Sequence, residues 1–357
     1  MNVLILGSGG REHAFARAFS KSDLCDKLFV APGNAGTAQI ATNLAVAVDD
    51  FESLKTEMLK HKIDFVVVGP ELPLVKGFTD MCKQDPELQG VKVVGPAAYA
   101  AQLEGSKEFA KDFMVKYDIP TAAYQAFTKE TLEEGKVFLT KFQAPYVLKA
   151  DGLAGGKGVL ILDSLEEAQA ELEDMLLNEA FGEASNTVVI EEFLSGIELS
   201  VFVLTNEKEY KILPNAKDYK RVGEGDTGLN TGGMGAVSPV PFATDELLAK
   251  IEDKIVKPTI KGIQETEMDY TGFVFIGLMI TPENEPYVIE YNVRMGDPES
   301  EVVLPRIEND LLALLKASTD YELEDFDLKL SNQAAATIMM VSGGYPEKHE
   351  NGKEITG

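Results

Sequence analysis

The stretch "KADGLAGGKG" (149–158) sets two lysines and four glycines between the apolar runs "APYVLKA" and "GVLILD". Glycines let a backbone come close to a ligand, and amide N–H groups on such a loop can cradle phosphate oxygens. Taken alone, the segment is an ordinary hairpin. Lys149 and Lys157 oppose the acidic background of the chain and favour a phosphate lid. It is not a Walker A loop, because Gly158 follows Lys157 and the loop joins two strands instead of opening a helix. In "VIEYNVRMGDPE" (288–299), Glu290 and Asn292 lie two apart on a strand and share a face. A carboxylate beside an amide oxygen suits a hard cation such as Mg²⁺. Arg294 shares that face, and Asp297 and Glu299 crowd the strand end; a half-buried strand with a polar face is the plainer alternative.

Two weaker clusters accompany these. "GSGGRE" (7–12) lacks the third glycine of a dinucleotide fingerprint, since Glu12 stands there, and the second strand ends in "APGN" without a carboxylate. NAD is therefore disfavoured. A plain strand-to-helix turn and an anion site fit equally well, and Arg11 beside a helix N-terminus tips the choice towards an anion. In "EEFLSGIEL" (191–199), the edge from Glu191 to Leu194 would offer backbone groups to a nucleobase, with Glu198 reaching ribose hydroxyls. A solvated hairpin is the alternative. The three histidines, His13, His61 and His349, form no evident catalytic set.

The elements that must position these groups follow from apolar patterning. "NVLILG", "KLFVAPG", "FVVVGP" and "KVVGP" are short β runs separated by helical stretches, each ending in Gly or Gly-Pro. That is the pattern of a doubly wound parallel sheet, which binds ligands at its carboxyl ends. A helix over "EGSKEFAKDFMVKY" leads to a β-β unit around the glycine loop, followed by a helix over "SLEEAQAELEDMLL". "TVVIEEFLSGIELSVFVL" reads as two strands around a tight Ser-Gly turn. "KDYKRVGEGDTGLNTGGMGA" (217–236) reads as irregular, followed by a helix near 244–268 and the strands "GFVFIGLMIT" and "PYVIEYNV". A new unit opens near 328 with "QAAATIMMV".

The 357 residues suffice for two to four domains, and 45 % hydrophobic content argues against disorder. The longest apolar runs fall short of the roughly 20 residues of a membrane span, and the first residues read as a strand rather than a signal peptide. Two cysteines give no disulfide framework or metal cluster, and a cytoplasmic protein is expected. A net charge of −26 disfavours nucleic acid and anionic membrane as partners.

The order of the pieces carries a resemblance. Lys107 on a helix, Lys149 with its glycine loop, the Glu-x-x-Leu segment, Glu198 and the Glu-x-Asn strand follow one another as in the ATP-grasp superfamily. More closely, "GSGGREHA", "GPELPLVKG", "LEGSKEFAKDFM", "KADGLAGGKGV", "VIEEFLSG", "KDYKRVGEGDTGLNTGGMGA" and "EYNVRMGDPE" resemble the phosphoribosylamine–glycine ligase family along essentially the whole chain. The "GREHA" start and the "DTGLNTGGMGA" block are the parts specific to that family.

The resemblance implies an α/β and α+β multidomain protein. An N-terminal doubly wound sheet occupies 1–103, a two-subdomain ATP-grasp core takes 104–123 and 190–327 with its lid at 124–189, and 328–357 starts a C-terminal domain present only in part. It further implies ATP-driven ligation of glycine to 5-phosphoribosylamine through glycyl phosphate, by a monomer needing Mg²⁺ or Mn²⁺. Lys107 and Lys149 would contact ATP phosphates under a lid containing Gly152, Gly155, Gly156, Lys157 and Gly158. Glu191 and Leu194 would hold adenine, Glu198 the ribose, and Glu290 and Asn292 the metal. Arg294 would neutralise the acyl phosphate, and Asp218, Lys220 and Arg221 would close over glycine or the transferring phosphate. Gly9, Gly10, Arg11, Glu12, Glu71 and Asp297 would face the phosphoribosylamine. The second acidic metal ligand of many superfamily members would fall near Gly277. Another ATP-grasp carboxylate–amine ligase, or a nucleotide-binding protein without chemistry, are the competing readings.

Overall fold

The computed structural model describes residues 1–153, 158–178, 182–225, 227–350 and 352–354. Its first layer is a parallel sheet of β1 (Asn2–Gly7), β2 (Lys27–Pro32), β3 (Thr42–Asn43), β4 (Phe65–Val68) and β5 (Lys92–Val94), in the order β3-β2-β1-β4-β5. The runs "VLIL" and "FVVV" are buried along their length, as strands covered on both faces must be. Around this sheet lie α1 (Gly10–Phe19), α2 (Phe51–His61), α3 (Glu71–Val75) and α4 (Phe78–Gln84). The strand order reverses direction at β1, so the crevice at the ends of β1 and β4 is where such a sheet accepts ligands.

Two helices, α5 (Ala98–Gly105) and α6 (Lys107–Lys116), connect onwards. The sequence suggests one helix over 104–117; the structure breaks it at Ser106, whose extended backbone caps α6 by accepting from Phe109 N at 3.1 Å. The second sheet contains β6 (Tyr124–Thr128), β7 (Tyr146–Ala150), β8 (Val159–Leu162) and β9 (Thr187–Glu191), in the antiparallel order β6-β9-β7-β8. With α7 (Leu132–Leu139) and α8 (Leu165–Asn178) it closes a hydrophobic core of its own around Phe127, Leu148, Leu172, Met175 and Ile190.

The third sheet begins with β10 (Ile197–Thr205) and β11 (Tyr210–Ile212). The turn expected between β9 and β10 is a crossing between sheets, not a hairpin: β9 pairs with β6 and β7, while β10 pairs with β11 and a later strand. The stretch expected to be irregular is also ordered, as the antiparallel pair β12 (Lys217–Gly223) and β13 (Thr227–Ser238), with register shifts that accommodate its glycines. A helix of α9 (Asp245–Ile251), a π turn (Glu252–Val256) and α10 (Lys257–Glu265) leads to β14 (Gly272–Ile280) and β15 (Pro286–Asn292). These complete the order β11-β10-β14-β15. After α11 (Ser300–Val303) and α12 (Leu311–Thr319), β16 (Ala335–Ile338) adds to β13. Among the described residues, no helix is long and apolar enough to cross a membrane.

Two cores join the first and third sheets. One runs from Leu4 and Val66 through Phe113 and Ile263 to Val274 and Val288. The other runs from Val3 and Ile5 through Phe15 to Phe273 and Leu312. At the crossing of α6 and α10, Gly262 leaves room for the buried Phe113 ring; a β-carbon there would sit 2.4 Å from Phe113 Cζ. Gly262→Ala is therefore expected to lower the thermal midpoint although alanine is the better helix former. The overpacking costs about 1–3 kcal/mol, against a propensity gain of about 1 kcal/mol. A raised midpoint in a melting experiment would show that the ring moves aside.

Candidate active site

The site forms where the second and third sheets meet α6 and the end of the first sheet. Opposite Gly277, β15 carries a bulge: Gly277 pairs with Glu290 and Leu278 with Val288, so Ile289 is the extra residue. Lys149, buried on β7, donates from Nζ to the Ile289 carbonyl at 3.3 Å. Gly277 itself leaves space for Glu290, whose Cγ would lie 3.2 Å from a β-carbon there. A second acidic side chain at 277 would compete with the stem of the first.

Glu290 is the electrostatic centre. Burial opposes its ionisation, yet Lys220, Lys149, Lys107 and Arg294 hold its carboxyl below the usual range. These cations come from β12, β7, the first turn of α6 and the segment after β15. Lys107 donates to the Gly152 carbonyl at 3.2 Å, at the start of the glycine loop. Asp151 accepts from Glu108 N at 2.8 Å and from Ser106 Oγ, tying that loop to the start of α6. Gly155, Gly156 and Lys157 lie outside the described residues; the Gly158 carbonyl accepts from Ala150 N at 2.8 Å and closes the hairpin.

Asn292 is buried, its Oδ1 accepting from Arg294 Nη2 at 2.9 Å, while its Nδ2 has no hydrogen-bond partner among the described residues. Arg294 also donates to Glu104 Oε1 at 2.6 Å and lies 3.4 Å from Glu71 Oε2. Glu104 is pushed up to about 7, burial outweighing the pull of Arg294. Burial opposes ionisation of Glu71 as well, but Arg294 and Arg11 hold its carboxyl below the usual range.

Around the glycine-rich turn after β1, Glu12 is buried and engaged within its own helix start. Its Oε2 accepts from Gly9 N and its Oε1 from Arg11 Nε, each at 2.6 Å. Arg11 also donates to the Met295 carbonyl at 3.0 Å. The backbone N–H of Arg11 donates to Asp297 at 3.2 Å, and Glu301 packs against Gly10. This end of the crevice is therefore lined with carboxylates.

The ribose-side candidates lie on the other flank. Glu198 on β10 is 3.1 Å from Lys220 Nζ, and Asp218 is 3.7 Å from the same nitrogen. Burial raises the Asp218 carboxyl, with Lys220 pulling the other way. Arg221 is exposed on the same strand, and Leu194 is half-buried between β9 and β10. Thus Lys107, Lys149, Glu191, Lys220, Glu290, Asn292 and Arg294 converge directly. Gly9, Gly10, Arg11, Glu12, Glu71 and Asp297 gather at the crevice beside Arg294. Sequence reasoning passed over Glu104, Lys111 and Glu301. Only Lys111 had a readable signal, its i,i+4 spacing from Lys107.

Among the described residues, no three His, Cys, Asp or Glu side chains group as a metal cage. Glu290 and Asn292 instead offer two oxygen donors beside a cluster of cations suited to phosphate. That set fits a hard divalent cation completing its shell with phosphate oxygens and water.

A parallel crevice sheet followed by two antiparallel sheets that meet over buried lysines is the ATP-grasp class of architecture. The biotin carboxylase domain of a Hydrogenobacter thermophilus 2-oxoglutarate carboxylase shares it at a TM-score of 0.69 and 17 % identity, over 94 % of this chain and 73 % of that one. Within the class, residues 1–104 match the N domain, and residues 105–300 the ATP-grasp (A) domain, of phosphoribosylglycinamide synthetase. The chain belongs to that family. It is 46 % identical to the phosphoribosylamine–glycine ligase of Pasteurella multocida, covering 100 % of this chain and 82 % of that protein. The crystal structure of the Thermotoga maritima phosphoribosylamine–glycine ligase superposes with a TM-score of 0.83 at 37 % identity, over 100 % of this chain and 84 % of that one.

The carboxylate-lined crevice has a pH signature. Burial and the neighbouring Asp297 push the Glu301 carboxyl up to about 8 from an ordinary 4.5. The folded state thus keeps a proton that the unfolded chain releases, and this contribution to stability is lost as pH rises towards 8. Glu301→Gln carries no such proton. Its thermal midpoint, relative to the unmutated protein, is expected to rise between pH 5 and pH 8 by at least about 2 °C. A constant difference across that range would refute the assignment.

Proposed function

We propose that this protein is an ATP-dependent ligase that joins glycine to 5-phosphoribosylamine, giving glycinamide ribonucleotide, ADP and phosphate in de novo purine synthesis. The observation that carries the reading is Glu290 on its bulge, facing Lys107, Lys149, Lys220 and Arg294. Converging cations beside one oxygen-donor pair are what transfer of a phosphoryl group to a carboxylate needs.

In the first step, a glycine carboxylate oxygen bonds to the γ-phosphorus of ATP and the bond to ADP breaks, leaving glycyl phosphate. In the second, the amine of 5-phosphoribosylamine bonds to the glycyl carbonyl carbon, phosphate departs with the bonding pair, and the nitrogen loses a proton. Lys107 and Lys149 bind the ATP phosphates, with Gly152, Gly155, Gly156, Lys157 and Gly158 as the lid over them. Backbone groups of the edge from Glu191 to Leu194 hold the adenine, and Glu198 the ribose. Arg294, steadied by Glu104, offsets negative charge on the acyl phosphate. Lys220, Arg221 and Asp218 surround glycine and the group in transfer. Gly9, Gly10, Arg11, Glu12, Glu71 and Asp297 form the phosphoribosylamine pocket, where Glu12 acts by fixing the shape of the turn.

Glu290 and Asn292 would hold Mg²⁺ or Mn²⁺, which when bound supplies further positive charge to the polyphosphate. A single metal position agrees with the crowding at Gly277. The protein is taken to act as a cytoplasmic monomer on small molecules, and its acidic charge disfavours nucleic acid and anionic membrane as partners.

The test is ADP release with glycine alone, with 5-phosphoribosylamine alone and with both. Release is expected to need both substrates; release that ignores either would overturn the ligase reading. Glu290→Ala is expected to lower metal-dependent turnover by about 10²–10³-fold with an unchanged circular dichroism spectrum. Full turnover in that variant would remove Glu290 from the metal site.

A further inference from the structure

Lys111 sits one helical turn after Lys107 on α6, and only 2 % of its side chain is exposed. Its ammonium has three N–H donors, and three groups surround it. Nζ is 2.9 Å from Glu191 Oε2, donates to Thr121 Oγ1 at 2.7 Å, and stands 5.6 Å from the centre of the Tyr124 ring. Thr121 passes the contact on, donating to the Val288 carbonyl at 2.8 Å on β15. With only 2 % of its side chain exposed, Lys111 offers a nucleotide almost no surface.

Its effect runs through Glu191. That carboxylate, 4 % exposed at the end of β9, lies between two ammonium groups, Lys111 on Oε2 and Lys149 on Oε1 at 3.0 Å. The contact with Lys149 is close but not directed: Oε1 accepts no hydrogen bond among the described residues. Lys149 spends a donor on the Ile289 carbonyl. With Lys111 present, the trio carries one net positive charge; without it, Glu191 and Lys149 cancel. Burial of an unopposed carboxylate would also draw Lys149 towards it.

We propose that Lys111 is a positioning residue for nucleotide binding, an ammonium that neutralises Glu191 from behind so that Lys149 presents its charge to the phosphates of ATP. This rests on the reading that Lys149 faces those phosphates. The groups facing Lys111 are Glu191 on β9, Lys149 on β7, the Tyr124 ring on β6 and the Thr121 hydroxyl. Burial and Lys149 push the ammonium down, with Glu191 resisting, to about 8, so it loses its charge as pH rises past that value.

The experiment is calorimetric titration of the full chain with magnesium ATP, which needs no ligase turnover. Lys111→Met is expected to weaken ATP binding about tenfold, the effect of roughly 1.4 kcal/mol. Adding Glu191→Gln to it restores one net positive charge and is expected to recover most of the lost affinity. A merely structural lysine would give no such recovery, and the double variant leaves no unopposed buried carboxylate to unfold the protein. Between pH 7 and 9 the unmutated protein should lose affinity more steeply than the double variant. Unchanged affinity in Lys111→Met, a double variant no tighter than the single, or identical pH dependence in both would each overturn the proposal. If the unmutated protein binds ATP but shows no substrate-dependent ADP release, the ligase reading fails and the test of Lys111 still stands.

Discussion

A carboxylate partly withdrawn from water stays ionised where cations replace its lost hydration. Glu290 is held in that state by Lys107, Lys149, Lys220 and Arg294 in a chain whose overall charge is −26. Each cation arrives on a different element, so the charge environment of one side chain draws on α6, β7, β12 and the end of β15 together. The cations need anions in return. Lys149 has Glu191, Lys220 has Glu198 and Asp218, and Arg294 has Glu104 and Glu71. In the buried pairs, Lys149 with Glu191 and Arg294 with Glu104, deleting a single member leaves its partner without compensation, which is harsher than removing both.

The same network holds the second sheet in place. That sheet has its own hydrophobic core, separate from the two that join the first and third sheets. Prominent among its links to the remainder are polar contacts: Lys107 to the Gly152 carbonyl, Ser106 to Asp151, Lys111 to Glu191, and Lys149 to the Ile289 carbonyl. These contacts cluster on the face where nucleotide phosphates are proposed to lie. A ligand that adds negative charge there acts on the very groups that set the spacing of the two sheets. The bulge at Ile289 belongs to this arrangement, because an extra residue turns its carbonyl out of the ladder and towards Lys149.

Local pattern made part of this legible. The buried β runs and the Gly-Pro strand ends announce the parallel sheet, and the spacing of Glu290, Asn292 and Arg294 places them on one face. What the sequence hides is pairing between distant segments. "VVIEE" and "IELSVFVL" look like one hairpin because nothing local says that β9 finds β7 while β10 finds β14. The glycines of 217–236 read as irregular because the bulges that absorb them depend on the partner strand. Gly105 and Ser106 mark the helix break, a short signal beside a strong apolar period. Glu104 is invisible for a different reason. It becomes part of the site only when Arg294, far along the chain, turns back to meet it.

The crevice divides by charge, and Arg294 marks the boundary. On one side stand Lys107, Lys149 and Lys220; on the other lie Glu71, Asp297 and Glu301 around the glycine turn after β1. A polyphosphate is favoured on the first side, while on the second Arg11 stands among the carboxylates. An amine and sugar hydroxyls find hydrogen-bond acceptors on the second. A reaction that joins an acyl phosphate to an amine needs the two environments side by side. Arg294 stands between them, with Glu104 behind it and Asn292 beside it, and its position is set by a carboxylate; under the proposed reaction its guanidinium would face the departing phosphate. The glycine turn contributes by being small: at Gly9 and Gly10 a β-carbon would collide with Asp297 and Glu301. These close approaches bring the acidic side of the crevice next to the cationic one.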